Sequence, residues 1–167
     1  MIYPILQYPD QQLKKVSEPV TIDYIKSEEA KIFRKDIVET LLSKKTGVGI
    51  AAPQVGQCIQ MIVVLEKDKT AEVLYNPIII ASYGKVKSRE GCLSVAGFSG
   101  FVKRHKEIVV HALDEVGEVI KFKVRGRKAI IIQHEVDHLY GVEFTDVLLK
   151  DDMKRWKDYS KRRGGNI

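Results

Sequence analysis

The segment IIIQHEVDHLYG, residues 130–141, sets Gln133, His134, Glu135, Asp137 and His138 behind a run of three isoleucines. Burying so many polar groups is costly unless they are paired or hold something. On a helix, His134 and His138 stack on one face with β-carbons ~5–6 Å apart, close enough for two imidazoles to chelate one ion. In a strand the same pair would stand ~13 Å apart. A shared metal therefore demands a helix over 127–139, although three successive isoleucines favour a strand. Glu135 lies beside His134 and can reach an open coordination position as general base, the mechanics of His-Glu-x-x-His.

A third donor has to come from elsewhere. No histidine follows His138, and Glu143 in EFTD has no evident helix to present it. The remaining soft donor is Cys92 in REGCLSVAG, where glycines suit a tight loop in which backbone comes close to a ligand. A Cys-His-His set leaves a tetrahedral ion with its fourth position open for water, as catalytic sites require. A closed structural site would need a fourth protein donor, which His105, His111 or Cys58 could supply. Otherwise the two isolated histidines are read as structural, and Cys58 as a small buried hydrophobe. Two other function classes stay open on these residues alone. One is a small metalloprotease with a downstream third ligand; the other is a non-catalytic metal-binding or RNA-binding module.

The positioning elements follow from periodicity. Ile25, Ala30, Phe33, Ile37 and Leu41 recur at helical intervals, predicting an N-terminal amphipathic helix over 24–43 that Gly47 and Gly49 stop. MIVVL (61–65) is a buried strand. VLYNPIIIASY (73–83) reads as two short strands broken at Asn76-Pro77. EIVVHAL (107–113) and VIKFKV (119–124) form a hairpin, with Ile120, Phe122 and Val124 alternating with basic residues in the second arm. Leu149, Met153, Trp156 and Ser160 share one side of a closing helix over 149–162. The order is an N-terminal helix, then many strands in a mixed or antiparallel arrangement, then two helices, the last of them C-terminal, which is the pattern of an α+β domain. A length of 167 residues fits a single domain, 1–167.

The formal charge is +6, and seven basic residues fall in the segment 150–167: Lys150, Lys154, Arg155, Lys157, Lys161, Arg162 and Arg163. Such a run is either a solvated helix face or an attractor for a polyanion such as RNA, and docking at the ribosome is one reading of it. No apolar run reaches the ~18 residues that span a bilayer, so no membrane partner is expected. The start, MIYPILQYPD, lacks a positive segment followed by an apolar one, so a cytoplasmic location and reduced cysteines are expected.

Three motifs stand in order along the chain: GVGIAAPQ (47–54), EGCLS (90–94) and QHEVDHLYG (133–141). The set strongly resembles the peptide deformylases, metal hydrolases that remove the N-formyl group from nascent bacterial proteins. The likeness runs from YPDQQL near the start to FTDVL at 144–148. It implies strands arranged around a central helix that carries both histidines. It implies Cys92, His134 and His138 as ligands of one divalent ion per chain, Fe2+ natively, with Zn2+, Ni2+ or Co2+ able to take the site. Glu135 would be the catalytic acid/base, and the Gln54 amide and Leu93 N–H would bind the developing oxyanion. Val48, Gly49, Gly91 and Ile131 would contact substrate, and Arg104 with Asp137 would form a buried ion pair steadying the helix. The partner implied is an N-formylmethionyl nascent peptide, not DNA. This chain departs from the pattern at Ala96, where many members carry proline, and at Ser88 and Arg89, which are unusually polar for the outer wall of the pocket.

Overall fold

The computed structural model describes residues 1–165, so the last two positions of the basic segment 150–167 lie outside the described residues. MIVVL forms β2 (Met61–Leu65), buried along its whole length. Its side chains alternate between two faces. Met61, Val63 and Leu65 join a cluster with Phe33, Ile37 and Leu41 of α2 (Glu28–Leu42). Ile62 and Val64 meet Ala129, Ile132, Val136 and Leu139 of α3 (Arg127–Leu139). A strand covered on both faces has no solvent side to mark, which is why its sequence is apolar throughout.

β2 belongs to a five-stranded sheet in the order β1-β2-β3-β6-β7, every pairing antiparallel. The others are β1 (Gly49–Ala51), β3 (Ala71–Tyr83), β6 (Glu107–Leu113) and β7 (Val119–Arg125). As expected, β6 and β7 form a hairpin, and Ile120, Phe122 and Val124 turn toward the α3 cluster. β4 (Val86–Cys92) and β5 (Val95–Arg104) pair as a second, two-stranded sheet. With α4 (Lys150–Arg162) they enclose a third cluster around Phe98, Val102, Phe144, Leu148 and Trp156. The class is α+β with α3 at its centre, as the motifs imply.

Three expectations need correction. The helix over 24–43 is two helices, α1 (Ile22–Lys26) and α2, divided at Ser27. The Ser27 hydroxyl donates to Tyr24 O at 2.7 Å and accepts from Ala30 N at 3.1 Å. A serine that serves both ends this way competes with the helical ladder and ends one helix as it starts the next. The break at Asn76-Pro77 does not divide β3 but bulges it, with Asn76 at φ 48° and register shifts on either side of Ile78 and Ile79. The Asn76 side chain bonds both the N–H and the C=O of Val20, at 2.9 and 2.8 Å, so the irregularity clasps the N-terminal segment. Finally, EGCLS is not a free loop but the end of β4 and its turn into β5, a hairpin absent from the expected elements.

α3 ends in a way that depends on one glycine. Gly141 N–H donates to His138 O at 3.1 Å and Val142 N–H to Asp137 O at 3.0 Å, with Gly141 at φ 70°. This left-handed cap satisfies the last carbonyls of the helix that carries both histidines. A β-carbon at Gly141 would also stand 2.3 Å from Lys14 O. Gly141→Ala is therefore expected to cost about 2–4 kcal/mol through left-handed strain and backbone collision. An unchanged urea midpoint would contradict this account of the cap.

Candidate metal centre and active site

α3 presents His134 and His138 one turn apart, with ring centroids 5.1 Å apart. β4 brings Cys92 to the same place from the other sheet. One donor atom from each of Cys92, His134 and His138 lies within 4.8 Å of the other two. Cys92 Sγ is 3.3 Å from His138 Nε2. Among the described residues this is the one group of three His, Cys, Asp or Glu side chains so placed. His105 sits on the β5–β6 turn against Lys85 Nζ at 3.1 Å, and His111 lies in β6. Cys58 is half-buried rather than buried, and it is not a fourth donor. Glu143 is buried against Lys14 Nζ at 2.9 Å and outside the cluster, which removes the downstream ligand a metalloprotease reading would need.

The residues present fit a divalent cation. A thiolate with two imidazoles is a borderline-soft set that suits zinc and ferrous iron. Burial, reinforced by the neighbouring His134 charge, holds His138 well below its ordinary range, so it is the neutral imidazole that can ligate. Burial alone would lower His134 as well, but hydrogen bonding to Cys92 and Glu90 outweighs it and raises its affinity for a proton. The anionic surroundings that attract that proton are those that would hold a metal.

Glu90 organises the centre, and the motif reading gave it no role. It lies two residues before Cys92 on β4 and so shares its face. Its Oε1 is 2.8 Å from His134 Nδ1, which leaves Nε2 as the nitrogen available to an ion. Arg104 of β5 grips the same carboxylate with two bonds of 2.9 Å and reaches Asp137 Oδ2 at 2.6 Å with its third nitrogen. Burial opposes ionisation of Glu90, but the bonds from His134 and Arg104 prevail and hold its carboxyl at about 2. The expected Arg104–Asp137 pair is present, with Arg104 buried but Asp137 only half-buried, as one arm of this larger chain, Asp137–Arg104–Glu90–His134. A signal for Glu90 existed: a ligating histidine almost always gives its second nitrogen to an acceptor, often a carboxylate.

Glu135 points toward a cleft of about 1370 Å³ lined also by Val48, Gly49, Gln54, Gly91, Cys92, Leu93, Ile131 and His134. His138, Arg104 and Asp137 stand behind this wall. Glu135 is 4% exposed, and its Oε2 is buried with no protein partner. Burial pushes its carboxyl up to about 7. Gln54 sits in the 3₁₀ turn after β1, where its Oε1 accepts from Ala51 N–H at 2.8 Å. Its Nε2 is 3.0 Å from Ser94 Oγ and 3.3 Å from Cys92 Sγ, so the amide lies directly beside the thiol. Gln133, by contrast, is a brace: it donates to His105 O and accepts from His105 N–H, fixing the β5–β6 turn to α3.

The family model described as polypeptide deformylase matches residues 2–154. The chain belongs to this family. It is 38% identical over 167 residues to a peptide deformylase of Thermodesulfovibrio yellowstonii, covering 96% of this chain and 99% of that one. A crystal structure of a peptide deformylase from Legionella pneumophila superposes with a TM-score of 0.86 at 34% identity, covering 98% of this chain and 96% of the other. The Met-Ala-Ser-bound crystal structure of a class I type b peptide deformylase from Acinetobacter baumannii gives a TM-score of 0.83 at 31% identity, covering 89% and 99%. A peptide deformylase is a metal-dependent hydrolase of protein biosynthesis that removes the N-formyl group from nascent peptides, and this chain is such an enzyme.

Proposed function

We propose that this peptide deformylase hydrolyses the formyl amide of N-formylmethionyl peptides, giving formate and a free amino terminus, with Glu135 carrying the proton. The observation that carries the reading is a buried carboxylate, unpartnered at Oε2, beside the Cys92–His134–His138 cluster at the floor of an open cleft. Cys92, His134 and His138 would hold the divalent ion, iron(II) natively by resemblance to the family, with zinc, nickel or cobalt as substitutes. When bound, such an ion acidifies water and polarises a carbonyl.

The chain's own residues do the rest. Glu135 takes the proton of the attacking water and delivers it to the amine nitrogen as the C–N bond breaks, because an amine is too basic to leave unprotonated. Its raised carboxyl suits both halves of that exchange, since a base that must later act as an acid works best near ambient pH. The Gln54 amide and the Leu93 N–H stabilise the oxyanion; losing one such donor typically costs ~10²–10³ in rate. Val48, Gly49, Gly91 and Ile131 wall the place where the methionyl residue sits. That a relative's crystal structure is bound to Met-Ala-Ser supports a peptide beginning with methionine as the ligand. The test is formate release from formyl-Met-Ala-Ser by anaerobically purified protein supplied with iron or nickel. Metal bound without formate would overturn the reading.

The enzyme works in the cytoplasm beside its source of nascent chains, and α4 is its docking surface for the ribosome. Lys150, Lys154, Arg155, Lys157, Lys161, Arg162 and Arg163 are all exposed on or next to that helix, while Trp156 and Ser160 are buried. Deleting the helix would unseat that core, so the fair test neutralises charge. Lys154→Gln/Lys157→Gln/Lys161→Gln should reduce co-sedimentation with ribosomes at low salt, and unchanged co-sedimentation would end the docking idea.

A further inference from the structure

The cleft does not stop at the reacting centre. Its volume, about 1370 Å³, exceeds the ~300–1,000 Å³ that usually encloses a whole small ligand. Two walls lead outward. On β4, Arg89 stands three residues before Cys92, roughly 10 Å back at the usual rise of a strand. On α3, Arg127 stands two turns before His134, again roughly 10 Å along the helix axis. Both arginines line the cleft, as do Lys106 and Arg125, and all four are exposed. Gly126 N–H donates to Lys106 O at 3.0 Å, so the backbones carrying the last three cations adjoin.

The carboxylates nearby are already engaged. Glu90 is held by Arg104 and His134, and Glu107 pairs with Lys123 Nζ at 2.7 Å. Glu135 belongs to the reacting end. Among the described residues none of the four outer cations pairs with an acid, and Arg89 bonds only the hydroxyl of Ser99, at 3.2 and 3.1 Å. The outer cleft therefore carries uncompensated positive charge. An extended peptide advances ~3.3 Å per residue, so roughly three residues separate the formyl-methionyl position from this zone.

We propose that Arg89 and Arg127, with Lys106 and Arg125, make the enzyme select formylated peptides carrying acidic residues at their third and fourth positions. This rests on the deformylation reading above and adds a substrate preference to it. It also gives a role to the polar Arg89 that departs from the family pattern.

The experiment compares kcat/KM of the metal-loaded enzyme for formyl-Met-Ala-Asp-Asp, formyl-Met-Ala-Asn-Asn and formyl-Met-Ala-Lys-Lys, all amidated at the carboxyl end. The acidic peptide should exceed its isosteric amide by about threefold to tenfold at low salt, the lysine peptide should fall below both, and the spread should shrink as salt is added. Arg89→Gln/Arg127→Gln should bring the acid-to-amide ratio toward unity, and Arg127→Glu should push it below unity. Because each ratio is taken within one enzyme, a general loss of activity does not mimic the effect. Equal rates for the three peptides on the wild type would overturn the preference while leaving deformylation standing. A preference that survives Arg127→Glu would overturn the assignment to these residues. No formate from any peptide would overturn deformylation, and the preference with it.

Discussion

Glu135→Gln is expected to lower the rate of formate release by about 10²–10⁴-fold while the protein keeps its metal. The amide is nearly the same size as the carboxylate and fits the same enclosure, but it can neither accept the water proton nor return it to the amine. Glu135 is not one of the three donors gathered within 4.8 Å, so the ligand set survives the change. The enclosure is narrow. A β-carbon at Gly49 would stand 2.5 Å from Glu135 Oε1 and 2.8 Å from Ile131 Cγ2, so the bare backbone of β1 forms one side of the slot that aims the carboxylate. The measurement pairs single-turnover formate release with metal content for both proteins. A variant that loses its metal as well as its activity would show Glu135 to be part of the ligand framework rather than the proton carrier.

Much of this architecture can be read in the chain because burial writes a period into it. β2 is apolar at every position because helices cover both its faces. The histidines four apart demanded a helix against the β preference of three isoleucines, and α3 spans Arg127–Leu139. The β4–β5 hairpin stayed hidden for a physical reason. From Phe98 onward the buried face of β5 is Phe98, Gly100, Val102 and Arg104. Gly100 is there because a β-carbon would meet Leu148 Cδ2 at 2.5 Å, and Arg104 because its charge is consumed by Glu90 and Asp137. A face that alternates Phe, Gly, Val and Arg does not look apolar, although it is buried throughout. Asn76-Pro77 was legible as a break and Ser27 was passed over inside one predicted helix, because whether such a residue ends an element or bends it depends on partners brought in by the fold. For Glu90 the general signal was there, a histidine ligand's need for an acceptor, but which carboxylate meets His134 depends on the packing of β4 and β5 against α3.

Arg104→Leu should be the most destabilising substitution in this network, by about 3–5 kcal/mol, because it strands one buried carboxylate and weakens another. Arg104 and Glu90 side chains are each 6% exposed, so water cannot replace the lost bonds. The same bonds set a pH dependence with a definite sign. Glu90 is held at about 2 against an ordinary value of 4.5, so its contribution to stability is full above 4.5 and fades as pH falls toward 2. Removing the stranded acid as well, in Arg104→Leu/Glu90→Leu, should recover much of the stability, since an apolar pair can replace a buried ion pair at little cost. It should not recover the metal centre. His134 Nδ1 would have lost the acceptor that orients the ring, and metal affinity should stay about 10–100-fold below the wild type. Urea midpoints and metal titrations on the single and double variants separate the two effects. Stability and metal affinity recovering together would mean that Glu90 serves the fold alone; stability recovering without metal affinity would place it in the service of His134.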